Sequence, residues 1–183
     1  MYRTLIAQQR EFFRLGKTRS PAFRREQLTL LKQMIENNEA RILAALKADL
    51  GKSDEEGYLT EVGFVLNELN YMLRNVGRFA RPKRVPTPLA YFTSRSRLVP
   101  EPYGVVLIIS PWNYPFQLTL APLVGAIAAG NCAIIKPSEH STRTTALLNE
   151  LITNTFDPRY IKVVTGEVPE TQALLQQKFD YIF

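Results

Sequence analysis

Asn113 stands in a rigid turn directly after an apolar run, a setting in which a side-chain amide can do chemistry. The run covers 105–109, and the turn that follows it reads Ser-Pro-Trp-Asn-Tyr-Pro over 110–115. Its two prolines cannot donate backbone hydrogen bonds to a strand or a helix, so the turn is held apart from both. A side-chain amide placed in this way can donate to an oxyanion that develops during a reaction. It can equally bond to the backbone of its own turn, and residue chemistry alone leaves both interpretations open.

Further polar residues follow two other predicted strands, 133–135 and 161–164. Lys136 is either a ligand for a phosphate or for ribose hydroxyls, or an ordinary surface lysine. Glu139 either accepts hydrogen bonds from a ribose diol or lies favourably near a helix N-terminus. Ser138 stands between them, and Gly166 follows the last of these runs.

The elements that must position these residues are the strands of a parallel sheet. The runs 105–109 and 133–135 are unbroken and rich in β-branched residues, which is typical of strands buried on both faces. Between them, 116–129 has helical spacing, so the three segments predict a right-handed β-α-β unit. Helices over 141–155 and 169–177, with strands over 161–164 and 180–183, would continue the alternation. Because ligands of open parallel sheets bind beyond the carboxyl ends of the strands, the polar residues should line one edge, where a nucleotide would lie.

The first part of the chain, residues 1–82, is predicted to be helical. Ser20-Pro21 predicts a helix start with a capping hydroxyl. Asp54 is a candidate cap for a long helix that runs to about residue 79. An apolar stripe on that helix predicts core packing; its members are Val62, Leu66, Leu69, Leu73 and Val76.

Residues 83–102 are expected to form an extended arm, because prolines mark its start and 90–99 alternates loosely, as an exposed strand or a hairpin arm would. Basic residues dominate from Arg74 to Arg97, and the sequence has no acid between Glu68 and Glu101. The segment offers neither repeated aromatic stacking residues nor a recognised nucleic-acid motif. A solvated or protein-facing basic surface is therefore favoured over one that binds nucleic acid or an anionic membrane.

Other kinds of chemistry are poorly supported. The chain has one cysteine and one histidine, too few for a typical metal site, and it contains neither of the usual glycine-rich phosphate motifs. Cys132 opens an apolar strand at the end opposite the polar edge, which predicts a buried thiol rather than a nucleophile.

Composition predicts a cytoplasmic protein of 183 residues with net charge +6. A single cysteine excludes an internal disulfide, and the charged N-terminal residues lack the apolar core of a signal peptide. No run reaches the roughly 20 apolar residues that span a bilayer.

The segment 111–139, PWNYPFQLTLAPLVGAIAAGNCAIIKPSE, closely resembles the NAD(P)-dependent aldehyde dehydrogenases. The neighbouring NELNYML and EPYGVVLIIS are most similar to the class 3 or fatty-aldehyde branch. The similarity runs the whole length, and the PWN and KPSE blocks at this separation are a specific signal. It implies an α/β fold: a Rossmann-like NAD(P)-binding domain (103–183) preceded by its helical region (1–82).

The resemblance also implies roles for single residues. Asn113 would stabilise the oxygen of a thiohemiacetal formed from an aldehyde substrate. Lys136 and Glu139 would hold the adenine ribose of NAD or NADP. The remaining residues of the expected cofactor site are Ser110, Pro111, Trp112, Ser138 and Gly166. The arm would join subunits of a homo-oligomer.

The sequence departs from the family pattern at its end. In the family, the fourth strand leads to a glycine-rich turn, a general-base glutamate and a nucleophilic cysteine. This chain ends at Phe183, within the fourth strand, and Cys132 matches no catalytic position. The expectation is the N-terminal part of an aldehyde dehydrogenase without its catalytic domain, inactive by itself. The alternative is a non-catalytic module that binds nucleotide weakly or associates with another chain.

Overall fold

Helices and strands alternate as predicted in the computed structural model of the chain, which describes residues 2–183. The helices are α1 (Tyr2–Arg14), α2 (Pro21–Glu36), α3 (Glu39–Leu50), α4 (Asp54–Gly57), α5 (Gly63–Phe79), α6 (Gln117–Ala129), α7 (Thr142–Thr155) and α8 (Val168–Leu175). The strands are β1 (Lys83–Val85), β2 (Ser96–Leu98), β3 (Val105–Ile109), β4 (Cys132–Lys136), β5 (Ile161–Val163) and β6 (Tyr181–Ile182). Within residues 2–183, no helix combines the length and the apolar character needed to cross a membrane.

The predicted parallel sheet is confirmed, with the strand order β5-β4-β3-β6. In chain order the sheet reads 3-2-1-4, which is the order of the first four strands of the doubly wound sheets that bind dinucleotides. The register places Ile109 beside Lys136, so β3 and β4 end together. Ligands of such sheets bind where the order reverses, which here is the carboxyl end of β3 beside β6.

Both faces of the sheet are covered, which explains why its strands are continuously apolar. One face packs against α1 and α8, and its buried residues include Leu107 and Ile134. The other face packs against α6 and α7, and its buried residues include Ile108 and Ile135. All four of these side chains are fully buried. Alternation of polar and apolar residues is absent because neither face meets water.

The helical region differs from prediction at two helix starts. Pro21 begins α2 as expected, but the Ser20 side chain makes no capping hydrogen bond. Ser53, not Asp54, caps α4: its hydroxyl accepts the Glu56 N–H at 3.1 Å. The predicted long helix exists, but a π-helical turn, Tyr58–Val62, separates α4 from α5.

The arm is a short hairpin in which β1 pairs antiparallel with β2. Only Ser96–Leu98 of the expected strand over 90–99 is extended, because a single 3₁₀ turn, Leu89–Tyr91, opens the connection. Leu89 and Phe92 project into solvent, with 87% and 80% of their surface exposed.

Candidate active site

The loops after β3, β4 and β5 meet at one edge of the sheet, as parallel pairing requires. The Ser110 N–H donates to the carbonyl of Lys136 at 3.2 Å, and the Val164 N–H donates to that of Ile135 at 2.8 Å. The Ser141 hydroxyl, from the loop after β4, donates to the carbonyl of Trp112 at 3.2 Å. The structure therefore brings the predicted polar residues to a common edge.

Asn113 lies on the exposed surface of the turn between Pro111 and Pro115. Trp112 beside it is 55% exposed. The Asn113 carbonyl accepts a hydrogen bond from Lys52, but its side-chain carboxamide has no hydrogen-bond partner within residues 2–183. An asparagine that only stabilised its own turn would bond to nearby backbone. The exposed carboxamide is thus available to a ligand.

Lys136 is not a surface lysine, since its side chain is 2% exposed. Its ammonium donates to the carbonyl of Pro137 at 2.8 Å and to Glu139 Oε2 at 3.4 Å. An ammonium has three donors, so one remains for a ligand.

Glu139 supplies the matching acceptor. Its side chain is 29% exposed. A hydrogen bond to its own backbone N–H outweighs partial burial and, with the nearby Lys136 charge, holds the pKa of Glu139 below its usual value. The carboxylate is therefore ionised at neutral pH. An ammonium donor beside a carboxylate acceptor suits a pair of neighbouring hydroxyls.

The two serines of the predicted site use their hydroxyls inside the protein. The Ser110 hydroxyl lies 2.6 Å from that of Thr119. The Ser138 hydroxyl accepts the His140 N–H at 3.2 Å. Both serines are buried, and the Ser138 hydroxyl keeps its own proton for a further acceptor because it only accepts in this bond.

Gly166 is required by its own turn. Its φ of 136° lies in a region that side-chain-bearing residues rarely adopt, and a Cβ there would collide with the Glu170 side chain. That side chain accepts the Glu167 N–H at 2.8 Å as part of the capping box of α8. The glycine is thus explained locally, and the same turn leaves the backbone open at the edge.

Cys132 is buried at the start of β4, at the end of the strand away from these loops. Burial raises the pKa of its thiol to about 12. The thiolate, which is the nucleophilic form, is therefore scarce at neutral pH.

Sequence reasoning missed two residues that contact this edge, Lys52 and Glu61. Glu61 Oε2 accepts the backbone N–H groups of Phe116 at 2.8 Å and Gln117 at 3.2 Å. The available signal was spacing: Glu61 stands four residues before Val65 and eight before Leu69, so helical periodicity places this acid on a buried face of the helix.

Comparison with known proteins identifies the family of this chain. The family model described as "Aldehyde dehydrogenase family" matches residues 2–181. The mouse protein "Aldehyde dehydrogenase family 3 member A2" is 46% identical over 173 residues, which cover 94% of this chain and 36% of the mouse protein.

Solved structures share the fold. That of Staphylococcus aureus AldH in its substrate-bound state superposes with a TM-score of 0.97 at 43% identity, covering all of this chain and 40% of that one. A betaine aldehyde dehydrogenase of the same organism, in complex with NAD⁺, gives a TM-score of 0.78 at 25% identity, covering 89% of this chain and 33% of that one. The chain thus spans two fifths or less of the proteins it matches, and it aligns with them over nearly its whole length. It belongs to the aldehyde dehydrogenase family.

Proposed function

We propose that this chain supplies the oxyanion donor and the ribose-binding residues of an enzyme that oxidises aldehydes to carboxylic acids with NAD or NADP. The observation that carries the proposal is the free, exposed carboxamide of Asn113 at the edge where the strand order permits a dinucleotide. Family membership supports the reaction class, and the NAD⁺ complex of the betaine aldehyde dehydrogenase supports the kind of cofactor.

The role of Asn113 is electrostatic. When a thiolate adds to the carbonyl carbon of an aldehyde, the π electrons move to the oxygen, which becomes negative. The Asn113 amide donates a hydrogen bond to that oxygen and so stabilises the charge as it forms. The thiolate must come from a cysteine other than Cys132, which is buried and protonated.

A nicotinamide cofactor, when bound, would accept the hydride from the aldehyde carbon. The residues of this chain that would hold it fit a ribose: the buried Lys136 offers a donor, and Glu139 offers an ionised acceptor. The loop residues assigned to border the cofactor are Ser110, Pro111, Trp112, Ser138 and Gly166.

The proposal can be tested in a chimera in which residues 1–183 are followed by the rest of the Staphylococcus aureus AldH chain. We expect aldehyde-dependent reduction of NAD⁺ or NADP⁺, which is measured by the absorbance of the reduced nicotinamide. A folded chimera that binds the cofactor but never turns over would favour the alternative function.

That alternative is a non-catalytic module that binds nucleotide or associates with another chain. Its specific support is the buried Cys132, which leaves residues 2–183 without an accessible thiol.

For both functions we propose that the arm, 83–102, joins subunits through exposed side chains such as Leu89 and Phe92.

Lys136→Ala in the chimera should raise the KM for the cofactor with a smaller effect on kcat. The lysine would contact the ribose in the ground state and the transition state alike, so its loss removes binding common to both. Steady-state kinetics with varied cofactor measures this. Lys136→Met separates charge from packing because it keeps the buried stem, and Lys47→Ala, on the exposed face of α3, is the control. A fall in kcat at unchanged cofactor KM would contradict the ribose assignment.

Cys132→Ser in the chimera should leave turnover nearly unchanged and lower stability by about 1–3 kcal/mol, because a hydroxyl would enter a fully buried strand. Urea denaturation measures the loss, and Cys132→Ala serves as the control without a polar group. Turnover abolished in a folded Cys132→Ser protein would show that Cys132 is the nucleophile after all.

A further inference from the structure

A buried ion pair holds the turn that carries Asn113. Lys52 Nζ lies 2.5 Å from Glu61 Oε1, and the two side chains are 9% and 0% exposed. Among the salt bridges of residues 2–183, it alone has both side chains less than one tenth exposed. Both residues come from the helical region, far from the turn in sequence.

Glu61 fixes the C-terminal side of the turn. Its second oxygen accepts from the N–H groups of Phe116 and Gln117, at the start of α6. These groups have no partner inside their own helix, and no side chain of α6 caps them. A carboxylate in this place satisfies the donors and interacts favourably with the helix dipole.

Lys52 holds the middle of the turn. Its ammonium donates to the carbonyl of Asn113 at 3.4 Å and lies 4.1 Å from the centre of the Tyr114 ring. The pair thus holds the backbone immediately at Asn113 and again three residues later.

The helix that presents Glu61 is locally irregular. Glu61 lies in the π-helical turn Tyr58–Val62, where the regular i to i−4 bonding of the helix is interrupted. Such turns rotate the side chains that follow and are frequent at functional sites. Here the irregular turn contains the carboxylate that reaches across to α6.

We propose that Lys52 and Glu61 are positioning residues that hold the Asn113 carboxamide in one direction by fixing the Asn113 backbone and the chain directly after it. This inference rests on the proposed oxyanion role of Asn113. Buried ion pairs are weak contributors to stability, since apolar replacements of similar volume are often tolerated. The contacts of this pair with the turn indicate that it specifies local geometry.

The chain contains two natural probes that test the proposal without catalysis. Trp112 is the only tryptophan and lies in the turn, so its fluorescence anisotropy and its quenching by acrylamide report on the turn alone. Cys132 is the only cysteine and lies in the core, so its reactivity with a thiol reagent reports on the fold.

The test variants are Glu61→Gln and Lys52→Met. The matched control is Glu150→Gln, which breaks the exposed Arg41–Glu150 pair between α3 and α7.

In both test variants we expect lower Trp112 anisotropy and stronger quenching while Cys132 stays protected, and no change in Glu150→Gln. Unchanged Trp112 signals would overturn the proposal. So would Trp112 and Cys132 becoming accessible together, because the pair would then hold the whole fold rather than the turn. If a single variant does not fold, the double variant Lys52→Met/Glu61→Leu removes both charges at once and is judged by the same two probes.

Kinetics of the chimera separate this inference from the proposed function. Glu61→Gln should lower kcat by about 10- to 100-fold, as expected for misplacement of a catalytic group, with little change in cofactor KM. In an Asn113→Ala background, the same substitution should cost almost nothing further. A full additional loss in that background would overturn the positioning role. If Asn113→Ala itself leaves kcat unchanged, the proposed function fails, and the Trp112 measurements still decide whether the pair holds the turn.

Discussion

Asn113→Ala in the chimera should lower kcat by about 10²–10³, equivalent to about 3–4 kcal/mol of transition-state stabilisation. The amide is exposed, has no protein partner within residues 2–183, and stands on a backbone that is held at the Asn113 carbonyl and again three residues later. A donor of this kind is preorganised, so it stabilises developing charge without having to reorient during the reaction. Steady-state and single-turnover kinetics with one aldehyde measure the loss.

Asn67→Ala is a suitable control, because Asn67 is an exposed asparagine of α5 and makes no contact assigned to the site. The stability of both variants is compared by thermal unfolding. An effect of Asn113→Ala confined to KM would contradict the oxyanion role, since it would mean that the amide contributes equally to the ground state and the transition state.

The sheet could be predicted from the sequence because a strand that is buried on both faces has apolar residues at consecutive positions. The runs that became β3 and β4 need no partner information to be recognised as buried strands. Parallel pairing then follows from the helix between them, and the common edge of the loops follows from parallel pairing. Each of these inferences relies only on residues that are close together in the sequence.

The parts that could not be predicted depend on contacts between distant segments. The burial of Lys136 follows from packing around the end of β4, which a lysine after an apolar run does not reveal. The orientation of Ser110 depends on Thr119, one turn into the next helix. Glu61 meets α6 across 55 positions of sequence, so its spacing on an apolar stripe could indicate burial but not its partners.

The helix α6 shows how these distant contacts act together. Glu61 accepts from the N–H groups at its start, and the guanidinium of Arg24 donates to the Ala128 carbonyl at its end at 3.2 Å. A negative group at the N-terminus and a positive group at the C-terminus both favour the helix dipole. Because α6 begins directly after the turn, the helical region fixes the helix and the Asn113 backbone together.

The 183-residue chain by itself should show no aldehyde-dependent reduction of NAD⁺ or NADP⁺. Covalent catalysis needs a thiolate at the site, and the only cysteine of this chain is fully buried, lies at the far end of its strand and has a pKa raised to about 12 by burial. At neutral pH the thiol is therefore protonated, and deprotonation would require a pH near that value. The predicted rate is that of the uncatalysed reaction.

The assay follows nicotinamide absorbance with the purified chain, with the chimera measured in parallel as the positive control. A Cys132→Ala preparation identifies contaminating host enzyme, because any activity that survives this substitution cannot depend on the thiol of the chain. Turnover by the purified chain that disappears in Cys132→Ala would contradict the prediction, since it would require Cys132 to leave the core of β4 and reach an aldehyde at the opposite end of the strand.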